Sequence, residues 1–189
     1  SGTILPYSAH KTVRFADEST LEFSYRVENR GKFPIRYMWS AHPLASVQGL
    51  YALKLPPGKL NFRLFPSDGK VHTWPFLLDR DLSRDWIPPG SSMKIFIAGL
   101  QEGWCELQLP EHTLRFTFEL SATPIVGIWF NNFGFPAKGG IPFRCIAVEP
   151  CTSPSDLLDE LDATAYPTIA AGGTAEWSMQ LQVIPIERS

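Results

Sequence analysis

Two ionisable residues stand at the ends of apolar, strand-like runs, and each is followed directly by a proline. Glu149 follows the run Arg144–Val148, and His42 follows the run Tyr37–Ala41. Because proline cannot donate to a ladder, we expect both strands to end there. A carboxylate at the end of a buried strand is shielded from water, which makes it a candidate proton acceptor near neutral pH. Either residue alone also fits a structural role, but an acid and a base in matching positions favour a general acid–base pair.

A third run adds residue types that bind sugars. Pro124–Phe130 carries Trp129 and leads through Asn131 into a loop rich in glycine and phenylalanine. Aromatic faces pack against the C–H faces of sugar rings, and asparagine side chains bind hydroxyls. We therefore predict that Trp129 and Asn131 bind substrate, together with Trp39 from the aromatic run before His42. A core tryptophan followed by an ordinary turn is the alternative, and it stays open at this point.

Short apolar runs separated by prolines and glycines must position these residues. Alternating apolar and polar side chains are typical of half-buried antiparallel strands, and many short strands at close spacing indicate a sandwich or a barrel. We predict one all-β domain over residues 1–189. The predicted strands are Lys11–Phe15, Leu21–Glu28, Ile35–Ser40, Lys59–Leu64, Met93–Ala98, Glu106–Leu109, Leu114–Leu120, Ile125–Phe130, Phe143–Val148 and Glu176–Ile184.

Two segments depart from this pattern. Ser155–Leu161 has a serine that can cap a helix and early carboxylates that favour a helix N-terminus, so we predict one short helix there. Phe76–Trp86 carries several charges and is predicted to be a long surface loop between strands.

Composition excludes several classes of function. The chain has 189 residues, a formal net charge of -2 and no basic cluster, so binding to nucleic acid through phosphate contacts is not expected. No apolar run has the length of a membrane span, and the four histidines lack the spacing of a metal site. The three cysteines, with no redox or metal spacing, predict free thiols in the cytoplasm. Cys151, beside Glu149, is a minor candidate for a nucleophile.

The chain resembles the galactose mutarotase (aldose 1-epimerase) family in four segments taken in order. They are an Asn-x-Gly hairpin before a Pro-Ile-x-Tyr…His-Pro segment, a Pro-x-x-Gly-x-Trp segment, a Glu-Pro-Cys-Thr-Ser-Pro-Ser-Asp-x-Leu segment, and a glycine turn before a Glu-Trp strand. Their positions are Asn29–Pro43, Pro124–Trp129, Glu149–Leu158 and Gly172–Trp177.

The resemblance implies an antiparallel β-supersandwich that interconverts the α and β anomers of a hexose, free or phosphorylated, without a cofactor. It assigns the general base to Glu149 and the general acid to His42. Family members have a further N-terminal half with additional sugar-binding residues, so the resemblance also implies an N-terminally incomplete fold. A half sandwich exposes sheet edges, which favours self-association. A non-catalytic carbohydrate-binding β-sandwich is the alternative function.

Overall fold

The computed structural model describes residues 5–136, 138–157 and 166–186. All the regular secondary structure within these residues is β-strand. The strands are β1 (Tyr7–Phe15), β2 (Thr20–Asn29), β3 (Ile35–Arg36), β4 (Leu44–Ser46), β5 (Ala52–Lys54), β6 (Asn61–Phe65), β7 (His72–Thr73), β8 (Phe76–Leu77), β9 (Arg80–Asp81), β10 (Ser91–Ala98), β11 (Trp104–Gln108), β12 (His112–Phe118), β13 (Ile125–Asn132), β14 (Arg144–Cys151), β15 (Thr168–Ile169) and β16 (Thr174–Pro185).

Two six-stranded antiparallel sheets form the body of the molecule. The first sheet has the order β1-β2-β16-β12-β11-β5, and the second sheet has the order β4-β14-β13-β10-β6-β7. The pairs β3 with β15 and β8 with β9 form two small ladders beside them. None of the described residues forms a helix that is long and apolar enough to cross a membrane. The predicted all-β architecture is therefore confirmed.

The core lies between the facing sides of the two sheets. Leu107, Phe116 and Met179 from the first sheet share one buried cluster with Ile128 and Val148 from the second. Each such side chain contributes about 1.5–3 kcal/mol when it is fully removed from water. Because successive strand residues point to opposite sides, the neighbours of Ile128 and Val148 lie on the side of the second sheet that faces away from the core. We call that side the outer face, and it carries Lys94, Trp129 and Glu149.

The structure changes several sequence-based expectations. Of the run Ile35–Ser40, only β3 is a strand, and Ser40 adds an isolated bridge to Cys151. The segment Phe76–Trp86 contains the β8–β9 ladder and is not a plain loop. In the predicted helix Ser155–Leu161, residues 158–161 lie outside the described residues, and the first three residues are not helical.

Pro150 does not end its strand, contrary to the prediction. β14 continues through Pro150 to Cys151, and Pro150 pairs with Val126 of β13. The Pro150 carbonyl accepts a hydrogen bond from the Ala41 N–H on the side of β14 away from β13. The Pro150 nitrogen, which carries no hydrogen, faces that same side, beyond the end of β4. The ladder with β13 therefore loses no hydrogen bond.

Candidate active site

Hydrogen bonds fasten the segment before His42 to the end of β14 and to Thr152, the residue that follows it. The Ala41 N–H donates to the Pro150 carbonyl at 3.0 Å, and the Thr152 N–H donates to the Trp39 carbonyl at 2.9 Å. The Trp39 N–H donates to Thr152 Oγ1 at 2.9 Å. We call these bonds the Trp39–Ala41 clip. The clip brings His42, distant in sequence, to the side of Glu149.

Glu149 is a buried carboxylate whose two oxygens have different partners. Its side chain is 1% exposed. Oε2 accepts hydrogen bonds from Lys94 Nζ at 2.7 Å and from Ser40 Oγ at 3.1 Å. Oε1 lies 2.7 Å from His42 Nδ1, which is ion-pair distance. That contact lacks the alignment of a hydrogen bond, so Oε1 is a buried oxygen without a hydrogen-bond partner among the described residues.

His42 is held against both Glu149 and Trp129. Its ring stacks on the Trp129 ring with centroids 5.6 Å apart and planes inclined by 26°. The side chain is about half exposed, so a second molecule can reach it. The side chains of His42 and Glu149 are therefore in direct contact, with His42 Nδ1 2.7 Å from Glu149 Oε1.

Lys94 is a site residue that sequence reasoning missed. It projects from β10 between two carboxylates, with Nζ 2.7 Å from Glu149 Oε2 and 2.7 Å and 2.8 Å from the two oxygens of Asp156. Burial alone would lower the pKa of the Lys94 ammonium, but the two carboxylates outweigh it and the pKa is raised. Lys94 is therefore a fixed positive charge. A single lysine within the apolar run Met93–Ala98 was the available signal.

An open cleft of about 450 Å³ lies over these groups on the outer face. This volume falls within the range of small-ligand sites, which is roughly 300–1,000 Å³. Its charged and polar wall consists of His42, Ser92, Lys94 and Asp156. Its apolar wall is an aromatic corner in which Trp129, Phe135 and Phe143 meet edge to face, with centroids 5.6–6.3 Å apart.

The structure does not bring the predicted sugar ligand Asn131 into this cleft. Asn131 is fully buried, and its amide nitrogen donates to the carbonyls of Phe135 and Phe143. Its Oδ1 accepts from the N–H groups of Gly134 and Phe135. These four bonds use both ends of the amide to hold the loop that carries the aromatic corner. Asn131 therefore positions the wall of the cleft and is not free for a hydroxyl.

Trp39 also lies apart from this cleft. Its ring packs edge-on against Tyr25 and Trp177, with centroids 4.6 Å and 5.2 Å away. It borders a neighbouring groove on the other side of His42, together with Lys11. The prediction that Trp39 touches the same ligand as Trp129 is thus not supported by their positions.

The cysteines are unsuited to nucleophilic chemistry. Cys105, Cys145 and Cys151 are free and buried. Burial raises the pKa of the Cys151 thiol to about 12 and that of Cys145 to about 11, so both are neutral near pH 7. Cys151 Sγ faces the Ile125 carbonyl at 3.6 Å. Within the described residues, no group of three or more His, Cys, Asp or Glu side chains is arranged to hold a metal ion.

Solved structures with the same arrangement of strands identify the fold. A candidate aldose 1-epimerase from Escherichia coli K12 superimposes with a TM-score of 0.75 at 16% identity, over 98% of this chain and 62% of the other. The chain has the galactose mutarotase-like fold. A galactose mutarotase-like protein from Lactobacillus casei matches with a TM-score of 0.65 at 18% identity, over 95% of this chain and 64% of the other.

A galactose mutarotase related enzyme from Lactobacillus acidophilus gives a TM-score of 0.67 at 11% identity, over 98% of this chain and 65% of the other. This chain therefore spans less than two thirds of the length of each of these three proteins. No family model matches the sequence, and no curated protein matches it significantly. The mutarotase-like fold predicted from the sequence is confirmed by the structural matches.

Proposed function

We propose that this chain interconverts the α and β anomers of a hexose by acid–base ring opening in the cleft over Glu149. One observation carries the proposal: Glu149 Oε1 is buried without a hydrogen-bond partner among the described residues, and it lies beside His42, which lines an open cleft. A buried carboxylate oxygen that lacks a hydrogen-bond partner gains one when a sugar hydroxyl binds, which favours both binding and proton transfer.

The proposed reaction uses both residues at the anomeric carbon. Glu149 Oε1 takes the proton of the C1 hydroxyl, while protonated His42 gives a proton from Nε2 to the ring oxygen. The bond between C1 and the ring oxygen breaks, and the sugar opens to the aldehyde. Rotation about C1–C2 exposes the other face of the carbonyl. The ring then closes with the proton transfers reversed, so that no atom is gained or lost.

The contact between His42 and Glu149 suits this chemistry. The hydroxyl oxygen and the ring oxygen are bonded to the same carbon, so the groups that serve them must be near neighbours. His42 Nδ1 lies 2.7 Å from Glu149 Oε1, which leaves Nε2 as the nitrogen directed at the ring oxygen. Stacking on Trp129 fixes the plane of the imidazole ring.

Polarimetry of freshly dissolved α-glucose and α-galactose tests the proposal. We expect the chain to accelerate mutarotation and expect Glu149→Gln and His42→Asn each to lose roughly 10²- to 10⁴-fold in rate. His10→Asn, at an exposed position in β1, is the matched control and retains the wild-type rate. Equal rates in all four proteins would remove the proposed roles.

A non-catalytic carbohydrate-binding function is the second candidate, and the Lys94–Glu149 ion pair favours it. Lys94 Nζ donates to Glu149 Oε2 at 2.7 Å, and a buried ion pair of this kind can serve the structure of the site without taking part in a reaction. Calorimetry would then show binding of glucose or galactose, reduced in Trp129→Ala, while polarimetry showed no acceleration. Binding together with acceleration supports the enzyme instead.

The setting of this activity is part of the proposal. The three free cysteines suit a reducing compartment, so we propose the cytoplasm. A free or phosphorylated hexose remains the proposed substrate, and self-association remains a prediction that measurement of the molar mass in solution can check.

A further inference from the structure

We propose that Lys94 is a positioning residue for Glu149. It holds Oε2 by a hydrogen bond, so that Oε1 alone exchanges the proton with the substrate. The proton exchange in this inference rests on the proposed function, whereas the arrangement of Lys94 and Glu149 rests on the geometry of the site. Lys94 and Ser40 both donate to Oε2, whereas neither donates to Oε1. The carboxylate therefore cannot rotate to present Oε2 to a sugar without breaking both hydrogen bonds.

Asp156 completes this arrangement from the opposite side. Both of its oxygens contact Lys94 Nζ, so the ammonium is shared between a buried carboxylate and a partly exposed one. All three N–H bonds of an ammonium are accounted for by acceptors at 2.7–2.8 Å. Lys94 is consequently locked, and its charge acts on Glu149 from a fixed distance.

The charges around Glu149 predict opposite effects of removing Lys94 and Asp156. The groups facing the Glu149 carboxylate are Lys94 from β10, His42 after the Trp39–Ala41 clip, and the uncharged Ser40, while β13 presents Gly127. Cys151 on the same strand is neutral because burial raises the pKa of its thiol. Removing Lys94 takes away a positive charge in contact with the carboxylate. Removing Asp156 takes away a negative charge, so that the Lys94 ammonium pairs with Glu149 without being shared with Asp156.

The main experiment follows the carboxyl carbon of Glu149 by ¹³C NMR across a pH titration. In Lys94→Met we expect the titration midpoint to move to higher pH by about one pH unit or more, and in Asp156→Asn to lower pH. Lys94→Arg retains the charge and stays near the wild type. Lys54→Met, on the exposed end of β5, is the matched control and leaves the midpoint unchanged.

Polarimetry of the same proteins gives the second readout. We expect kcat of Lys94→Met to fall roughly 10- to 100-fold with a smaller change in KM, and the acid limb of the rate profile to move in the same direction as the NMR midpoint. Lys94→Arg restores most of the rate.

The two readouts separate the two proposals. If the wild type does not accelerate mutarotation but the NMR midpoints move in opposite directions, the proposed reaction is wrong and the arrangement of charges stands. If Lys94→Met keeps the wild-type midpoint, or keeps the wild-type rate and acid limb in an active protein, the role of Lys94 is overturned.

Discussion

Gly127 lies directly opposite Glu149 in the ladder between β13 and β14, and its missing side chain leaves room for the Lys94–Glu149 contact. A Cβ at this position would lie 3.3 Å from the Glu149 Cβ and 3.5 Å from the Lys94 Cε. The glycine thus matters for space on the outer face, where a positive residue and a negative residue from strands on either side of β13 must meet.

Gly127→Val is expected to disturb this contact. The branched side chain overfills the space between Lys94 and Glu149 and lowers the free energy of unfolding by about 1–3 kcal/mol, as measured by urea denaturation. The same variant should lower the rate of mutarotation more than Gly127→Ala does, because alanine needs a shift of only a few tenths of an ångström. Full activity in the valine variant would show that the ion pair tolerates displacement.

Trp129→Ala is expected to weaken sugar binding and to release the His42 ring. An aromatic contact of this kind is worth about 0.5–1.5 kcal/mol, which corresponds to roughly a 2- to 13-fold rise in KM or in the dissociation constant from calorimetry. Trp129→Phe keeps a stacking surface and should lie between the alanine variant and the wild type. Unchanged sugar binding in Trp129→Ala would place the sugar elsewhere in the cleft.

Asn131→Ala is expected to destabilise the loop that carries Phe135 and Phe143. It removes four hydrogen bonds to backbone groups of this loop, at a cost of about 1–3 kcal/mol in the free energy of unfolding. Asn131→Asp keeps the acceptor for the two N–H groups but loses both donors, so it also destabilises the protein. An Asn131→Ala protein of wild-type stability that no longer binds sugar would restore Asn131 as a ligand.

Glu28 is expected to make part of the stability depend on pH. Hydrogen bonds from Arg26, Arg30 and Ser8 lower the pKa of the Glu28 carboxyl from 4.5 to about 2 in the folded protein. A lowered pKa stabilises the folded state above pH 4.5, and this contribution is lost as the pH falls towards 2. The difference in free energy of unfolding between the wild type and Glu28→Gln should therefore shrink over that interval.

Urea denaturation at several pH values measures this effect. Glu18→Gln, at an exposed glutamate outside these contacts, serves as the control. A difference between the wild type and Glu28→Gln that stays constant from pH 5 to pH 2 would contradict the assignment.

The strands could be predicted because alternation is a local property of the chain. The run Leu114–Leu120 shows it directly, and β12 lies there. The partners of Glu149 could not be predicted in the same way. Lys94 is the counter-ion of Glu149 only because of the register between β10 and β13. Asp156 reaches Lys94 only because of the path that the chain takes after β14. Asn131 was assigned to a ligand because sequence does not show whether an amide is already satisfied by backbone groups.

The Trp39–Ala41 clip gives the two halves of the site different resistance to local opening. Glu149 and Lys94 belong to long strands inside the second sheet, where hydrogen exchange is expected to require unfolding of the whole sheet. His42 lies on an irregular segment between the three hydrogen bonds of the clip and the short strand β4, whose Leu44 pairs with Ala147 of β14. Release of the clip together with the β4 ladder would separate His42 from Glu149 while the rest of the protein stayed folded, so the proposed proton transfer would be lost without loss of the native state.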